Sequence, residues 1–281
     1  MQQRVITENL IQGFREYLYS EEKSENTEQK YIRDVRAFAA FADNQNVCKE
    51  IVIKYKEYLL GKNYAVRSIN SMLASLNSLF SFLSWNDCKV KAVRLQKRIY
   101  CPKEEELTRG EYIKLCRTAE KRNNERLNLI LQTICGTGIR ISELQFITVE
   151  AVKCGQASVS CKGKLRIVFI VKKLRKKLLQ YALSKQITSG CIFVTRTRKR
   201  VSRTNVWREM KNLCAEAEVS PDKVFPHNLR HLFARTFYEM EKDLAKLADI
   251  LGHSSMNTTR IYIISTGTEH RRQLENMRLI I

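Results

Sequence analysis

Apolar residues recur at spacings of three and four along most of the chain, the pattern of helices that turn one face inward. Thr7 is placed to cap a first helix on which Leu10, Ile11, Phe14, Tyr17 and Leu18 share a side. A second helix is expected over 28–41, with Tyr31, Ile32, Val35, Phe38 and Phe41 together. A third is expected over 51–60, stopped by Gly61, and a fourth over 66–83, carrying Ile69, Met72, Leu73, Leu76, Leu79, Phe80 and Leu83. Helices of this length with short connections predict a small bundle over 1–88. The pattern breaks at 89–106, where Lys89, Lys91, Arg94, Lys97 and Arg98 precede Pro102 and a run of glutamates, with no sustained apolar face. That stretch reads as a linker between domains.

A second domain is expected over 107–281. Thr108 followed by Glu111 has the spacing of a capping box, and 127–135 is a largely apolar helical stretch. Over 149–170 the period shortens. Ala151-Val152, Ser158-Val159-Ser160 and 166–170 are expected as short strands, with turns at Gly155 and Gly163. The remainder is helical in pattern, and Pro221 and Pro226 mark a break before a new helix. The predicted fold is mainly α: an N-terminal helical bundle, then an α+β domain with a small antiparallel sheet.

Charge narrows the function. Hydrophobic residues make up 44% of the 281, enough for a packed core, yet the net charge is +21. An excess of that size calls for a polyanionic partner, most often nucleic acid. A basic membrane-surface protein would need a lipidation signal, an amphipathic anchor or a spanning segment, and none is evident. The opening MQQRVITENLIQGF carries no signal-type apolar run, and no stretch reaches the ~18 apolar residues of a membrane helix. A soluble, cytoplasmic protein is therefore expected. The nine cysteines are odd in number, and no two have C-x-x-C spacing, which points to reduced thiols rather than a disulfide framework or zinc ribbon.

The histidines, at 227, 231, 253 and 270, all lie late in the chain. In Pro226-His227-Asn228-Leu229-Arg230-His231 a proline opens a helix, and His227 and Arg230 fall on one face. An imidazole beside a guanidinium suits a phosphate: one moves a proton, the other holds two oxygens. The same residues also fit a plain polar helix face. His227 and His231 fit a metal pair by spacing, although Asn228 stands where the metalloprotease form needs glutamate. Three further segments add to this one. They are Thr137-Gly138-Ile139-Arg140-Ile141-Ser142-Glu143-Leu144, a hairpin holding Cys161-Lys162-Gly163-Lys164-Leu165-Arg166, and Leu251-Gly252-His253-Ser254-Ser255 followed by Thr258-Thr259-Arg260-Ile261-Tyr262.

In order and content these segments resemble the tyrosine recombinase (phage integrase) family, over roughly 107–270, with the N-terminal bundle similar in size and place to that family's core-binding domain. The resemblance implies that Arg140 and Arg230 clamp the scissile phosphate and that Lys162 protonates the leaving 5′ oxygen. It further implies that His227 and His253 hydrogen-bond the phosphate or help proton transfer, that Tyr262 attacks phosphorus, and that Glu143 supports the site. Lys164 competes with Lys162, which precedes the turn glycine as in the family's G-K-G pattern. Cys161 departs from the glycine usual before that lysine, Phe169 from a frequent proline, and Ile263-Ile264 from a common Thr-His. The chemistry is coherent in itself. Charge gathers on the non-bridging oxygens in the transition state, and guanidinium and imidazole groups placed there neutralise it with no metal or cofactor required. A phenol of pKa ~10 needs such a cationic field or a base to become a nucleophile. The phosphotyrosine ester conserves bond energy, so no ATP is needed, and no Walker loop is present.

Expected partners are double-stranded DNA carrying specific sites and further copies of the chain, four on two sites, exchanging strands through a Holliday junction. Candidate phosphate contacts are Arg33, Arg36, Arg67, Lys172, Lys173, Arg196 and Arg198. The bundle begins almost at the first residue, so no arm-binding domain is expected, as in Xer-type or compact mobile-element enzymes. The apolar tail Leu274, Met277, Leu279, Ile280 and Ile281 is expected to dock on a neighbouring subunit. A type IB topoisomerase and a catalytically silent DNA-binding relative share parts of the residue set. The T-G-I-R-I-S-E-L and L-G-H-S-S forms point to a recombinase.

Overall fold

The structure is a computed structural model that describes residues 4–94, 106–161, 164–253, 255–260 and 276–277. Two compact units divide the chain, Met1–Lys97 and Arg98–Ile281. The expected mainly helical architecture with one small antiparallel sheet is present.

In the first unit, α1 (Glu8–Ser20) starts where Thr7 Oγ1 accepts from Leu10 N, and it buries Ile11, Phe14 and Leu18. Helices α2 (Glu25–Ala42), α3 (Lys49–Gly61) and α4 (Val66–Phe82) complete the bundle. Their inward faces meet at Phe38, whose ring lies edge-on to Tyr55 at 5.1 Å and to Phe80 at 6.1 Å. Two polar side chains among the described residues are buried in that interior, Asp34 and Ser75. The Asp34 carboxylate, 2% exposed, takes Lys30 Nζ at 2.5 Å and Ser75 Oγ at 2.9 Å. The basic stretch that the sequence pattern assigns to a linker from residue 89 begins as part of this unit. Val90 is buried, and two asparagines of α4 grip the chain as a neighbouring strand would. Asn77 exchanges two hydrogen bonds with Val90 at 2.9 and 3.1 Å, and Asn70 exchanges two with Val93 at 2.9 and 2.7 Å.

The second unit packs around α6 (Glu125–Thr137), whose Leu127, Ile130, Leu131 and Ile134 are fully buried. Helix α5 (Arg109–Lys121) opens with the expected capping box: Glu111 N bonds Thr108 Oγ1, and the Glu111 carboxylate accepts from Thr108 N at 2.7 Å. After a 3-10 turn over Ile141–Phe146, the chain forms α7 (Val149–Cys154). Ala151 and Val152 are therefore helical, not the strand their β-branched neighbourhood suggests. Thr148 caps the segment by accepting from Ala151 N, and Gly155 ends it with φ +79, so local capping wins over a short apolar run. Strands β1 (Gln156–Cys161) and β2 (Lys164–Phe169) pair antiparallel from Gln156↔Phe169 to Cys161↔Lys164. Then come α8 (Lys172–Ser184), α9 (Arg203–Ala217), α10 (Pro226–Glu241), α11 (Leu244–Leu251) and α12 (Met256–Arg260). The end of the linker belongs to this unit, because Arg235 of α10 pairs with Glu106 and donates to Leu107 O at 2.7 Å.

Candidate active site

Helix α6 ends because Gly138 takes φ +66, a left-handed conformation open to glycine. A side chain there would also strike Phe233, since a Cβ would lie 2.5 Å from its Cδ1. The bend releases Arg140 at the head of the 3-10 turn, with its side chain 35% exposed. The Glu143 carboxylate turns back beneath it, 2% exposed, and accepts from Arg140 N at 2.7 Å and Arg140 Nη1 at 2.9 Å. It also accepts from Arg166 Nη2 at 2.5 Å. Burial alone would raise the Glu143 pKa. The backbone bond from Arg140, with the charges of Arg166 and Arg140, outweighs it and holds the carboxyl below its ordinary value.

Pro226 occupies the first turn of α10, where its missing N–H costs nothing, and the helix then presents His227, Arg230 and His231. Arg230 is 1% exposed. It bonds the Gly138 carbonyl through Nη1, and through Nη2 it reaches Leu251 O at 2.7 Å and His253 Nε2 at 2.9 Å. Carbonyls of the Arg140 and His253 segments thus anchor the second arginine. A guanidinium only donates, so His253 Nε2 must accept, and the ring proton sits on Nδ1 facing Thr259 Oγ1 at 2.8 Å. This neutral tautomer matches a His253 pKa pushed down to about 4, first by burial and then by Arg230, Arg140 and Arg166. His227 and His231 stand edge to face with centroids 4.8 Å apart. Burial lowers His227, and the charges of Arg230 and Arg140 both reach it. Burial, then His227 and Arg230, push His231 down to about 4.

Arg140, Glu143, His227, Arg230 and His253, far apart in sequence, therefore share one neighbourhood. Lys162 and Tyr262 lie outside the described residues, as do all of the tail positions except Met277, which is exposed. Helix α12 is described as far as Arg260, two residues before Tyr262 in the sequence, and its Thr259 is fully buried against His253. Lys164 opens β2 opposite Cys161. Of the candidate DNA contacts, Arg33 and Arg36 are exposed beside Asp34 and Glu8. Arg67 is exposed, and so are Lys172 and Lys173 at the start of α8. Arg196 and Arg198 are exposed in the tight turn closed by Thr195 N→Lys199 O at 2.7 Å. Two residues of the site, Arg166 and Thr259, stand out only in three dimensions. The strand alternation that puts Arg166 on the inward face with Val168 was the one signal for the first.

Comparison with known proteins supplies the family. The profile described as Phage integrase family matches residues 105–269, and that of the phage integrase N-terminal SAM-like domain matches 11–87. The tyrosine recombinase XerA of Pyrococcus horikoshii is 29% identical, the match covering 99% of this chain and 96% of the relative. The tyrosine recombinase XerD of Halalkalibacterium halodurans is 28% identical over 88% of this chain and 90% of its own. Among solved structures, a lambda integrase(75-356) dimer bound to a COC' core site superposes with TM-score 0.74 at 17% identity, covering 91% of this chain and 94% of that one. The XerH recombinase bound to difH substrate gives 0.69 at 17% identity, covering 97% and 90%. With a matching profile over more than half its length and a full-length likeness to named members, the chain belongs to the phage integrase family.

Proposed function

We propose that this chain is a site-specific DNA recombinase that cuts and rejoins duplex DNA through a 3′-phosphotyrosine intermediate on Tyr262. The observation that carries this reading is the convergence of Arg140, His227, Arg230 and His253 from three separate segments, in a chain matched along its length by tyrosine recombinases. Arg140 and Arg230 hold the non-bridging oxygens of the scissile phosphate, where each fixed donor contributes about 3–4 kcal/mol to the transition state. The histidines supply hydrogen bonds and proton relay. A hairpin lysine, Lys162 or its neighbour Lys164, protonates the 5′ oxygen as it leaves.

The N-terminal unit binds DNA beside the cleavage point, and 107–281 form the catalytic domain. The exposed cations Arg33, Arg36, Arg67, Lys172, Lys173, Arg196 and Arg198 contact phosphates. Four copies act on two sites through a Holliday junction in the cytoplasm. The full-length likeness to XerA and XerD supports an Xer-type task, resolving DNA between repeated sites, alongside integration or excision of a mobile element.

The test is capture of a covalent adduct. The protein is incubated with fragmented genomic DNA of its host, denatured, and the attached DNA sequenced. One recurrent site, attached through a 3′ phosphate and lost in Tyr262→Phe, is expected. Attachment without site preference would mark a topoisomerase, and no adduct at all would refute the enzyme reading.

A further inference from the structure

Arg166 joins three parts of the site, although the sequence motifs gave it no role. Its side chain is 11% exposed. Nη2 donates to the Glu143 carboxylate and Nη1 to the Ile250 carbonyl, both at 2.5 Å. Its stem lies against Gly252, so closely that a Cβ there would come 2.9 Å from Arg166 Nε and closer still to Cδ. One side chain of the hairpin therefore touches the carboxylate that orients Arg140 and the turn that delivers His253.

Among the described residues, the hairpin has few other holds near its end. The outward face of β2 is bare: Leu165 is 79% exposed, Ile167 54% and Phe169 71%. The inward face packs through Ala157, Val159 and Val168, and Ala157↔Val168 is the pair farther from the turn. Arg166, opposite Val159, is the inward anchor next to the hairpin end. Arg140 keeps its own bonds to Glu143, so losing Arg166 would leave the phosphate clamp in place and release the hairpin.

We propose that Arg166 is a positioning residue that fixes the hairpin, and the lysines at its end, on the framework of Glu143 and the Gly252 turn. The proposal rests on the recombinase reading above and specifies what aligns proton delivery to the leaving oxygen.

The test compares Arg166→Met and Arg166→Lys on the duplex recovered by adduct capture, made with either oxygen or sulfur at the bridging 5′ position of the scissile phosphate. A thiolate leaves without a proton. Arg166→Met should lose about 100-fold in adduct formation on the oxygen duplex and less than about tenfold on the sulfur duplex, the pattern of a misplaced general acid. Lys162→Ala serves as the benchmark for that ratio. Arg166→Lys retains a cation that reaches one of the two acceptors, so it should fall between and carries the test if the methionine variant does not fold. Equal losses on both duplexes, or no loss on either, would overturn the positioning role while leaving the enzyme reading intact. A wild-type chain that forms no adduct on either duplex would instead remove the recombinase reading itself, and this proposal with it.

Discussion

Gly252→Ala should be among the most damaging single methyl additions in the catalytic unit. Two costs add. At φ +66 an alanine pays the left-handed penalty, about 1–2 kcal/mol. The new Cβ also lies 2.9 Å from Arg166 Nε and closer still to its Cδ. A flexible arginine would swing away, but this one is pinned at its far end by Glu143 and Ile250 O. Moving it breaks charged hydrogen bonds worth about 1.5–3 kcal/mol. The sum is about 3–5 kcal/mol, or roughly 10–15 °C in the midpoint of a unit this size. Gly155→Ala is the control. It has φ +79, but its nearest foreign atom is Arg175 Nη1 at 3.7 Å, so only the backbone cost of about 1–2 kcal/mol remains. Scanning calorimetry of both variants, each also in an Arg166→Ala background, separates the terms. In that background Gly252→Ala should fall to the Gly155→Ala value. Equal shifts for the two glycines in the wild-type background would show that Arg166 is not held as described.

Three further outcomes are expected. His231 and His253 have folded pKa values of about 4, below the ordinary 6.5, so between pH 6.5 and 4 the unfolded chain binds protons that the folded one does not. Stability of the catalytic unit should therefore be full above 6.5 and fall as the pH drops through that window. The first unit contains no histidine and should stay flat from pH 6.5 to 5 by calorimetry, and His253→Gln should make the catalytic unit's curve shallower while leaving the part due to His231. Asp34→Ala removes the buried acceptor shared by Lys30 and Ser75, which keep the Ser71 carbonyl, and should cost the first unit about 1–3 kcal/mol in chemical denaturation. Alanines at Lys172 and Lys173 should lower the slope of log affinity against log salt for duplex DNA by about 0.9 for each phosphate those lysines neutralise. An unchanged slope would remove them from the DNA-facing surface.

What the sequence made legible, and what it hid, follows from the range of the interactions involved. The helix starts at Thr7 and Thr108 are local events, a side-chain oxygen meeting an N–H three residues on, and they fall where the pattern places them. The dispersed residues of the site are legible because each sits in a short motif with its own turn: Gly138 before Arg140, Pro226 before His227, Gly252 before His253. Less visible were features that depend on a distant partner. Val90 and Val93 look like linker until Asn77 and Asn70 are seen to grip them. Ala151 and Val152 have strand composition, and the cap at Thr148 with the glycine at 155 decides against it. Arg166 looks like one more cation in a basic chain, because its acceptors lie 23 and 84 residues away.

Burial first, and the positive charge around them second, lower the pKa of the histidines of the site. Two guanidinium groups, Arg140 and Arg166, pair with the buried carboxylate Glu143, and a third, Arg230, is held by the Gly138 and Leu251 carbonyls and the His253 ring. Backbone carbonyls and the His253 ring also face these groups, and they answer charge only with dipoles. Burial already disfavours a charged imidazole, and a further cation in that field would add to the cost, the direction found at His227 and His253. On the proposed reading, an arriving phosphate would reverse that pressure. It would bring negative charge, compete with His253 Nε2 for the Arg230 donor, and make a protonated or donating imidazole favourable. On the proposed reading, the positive field that adds to the depression of the histidines in the free protein would also favour an anionic phosphorus centre.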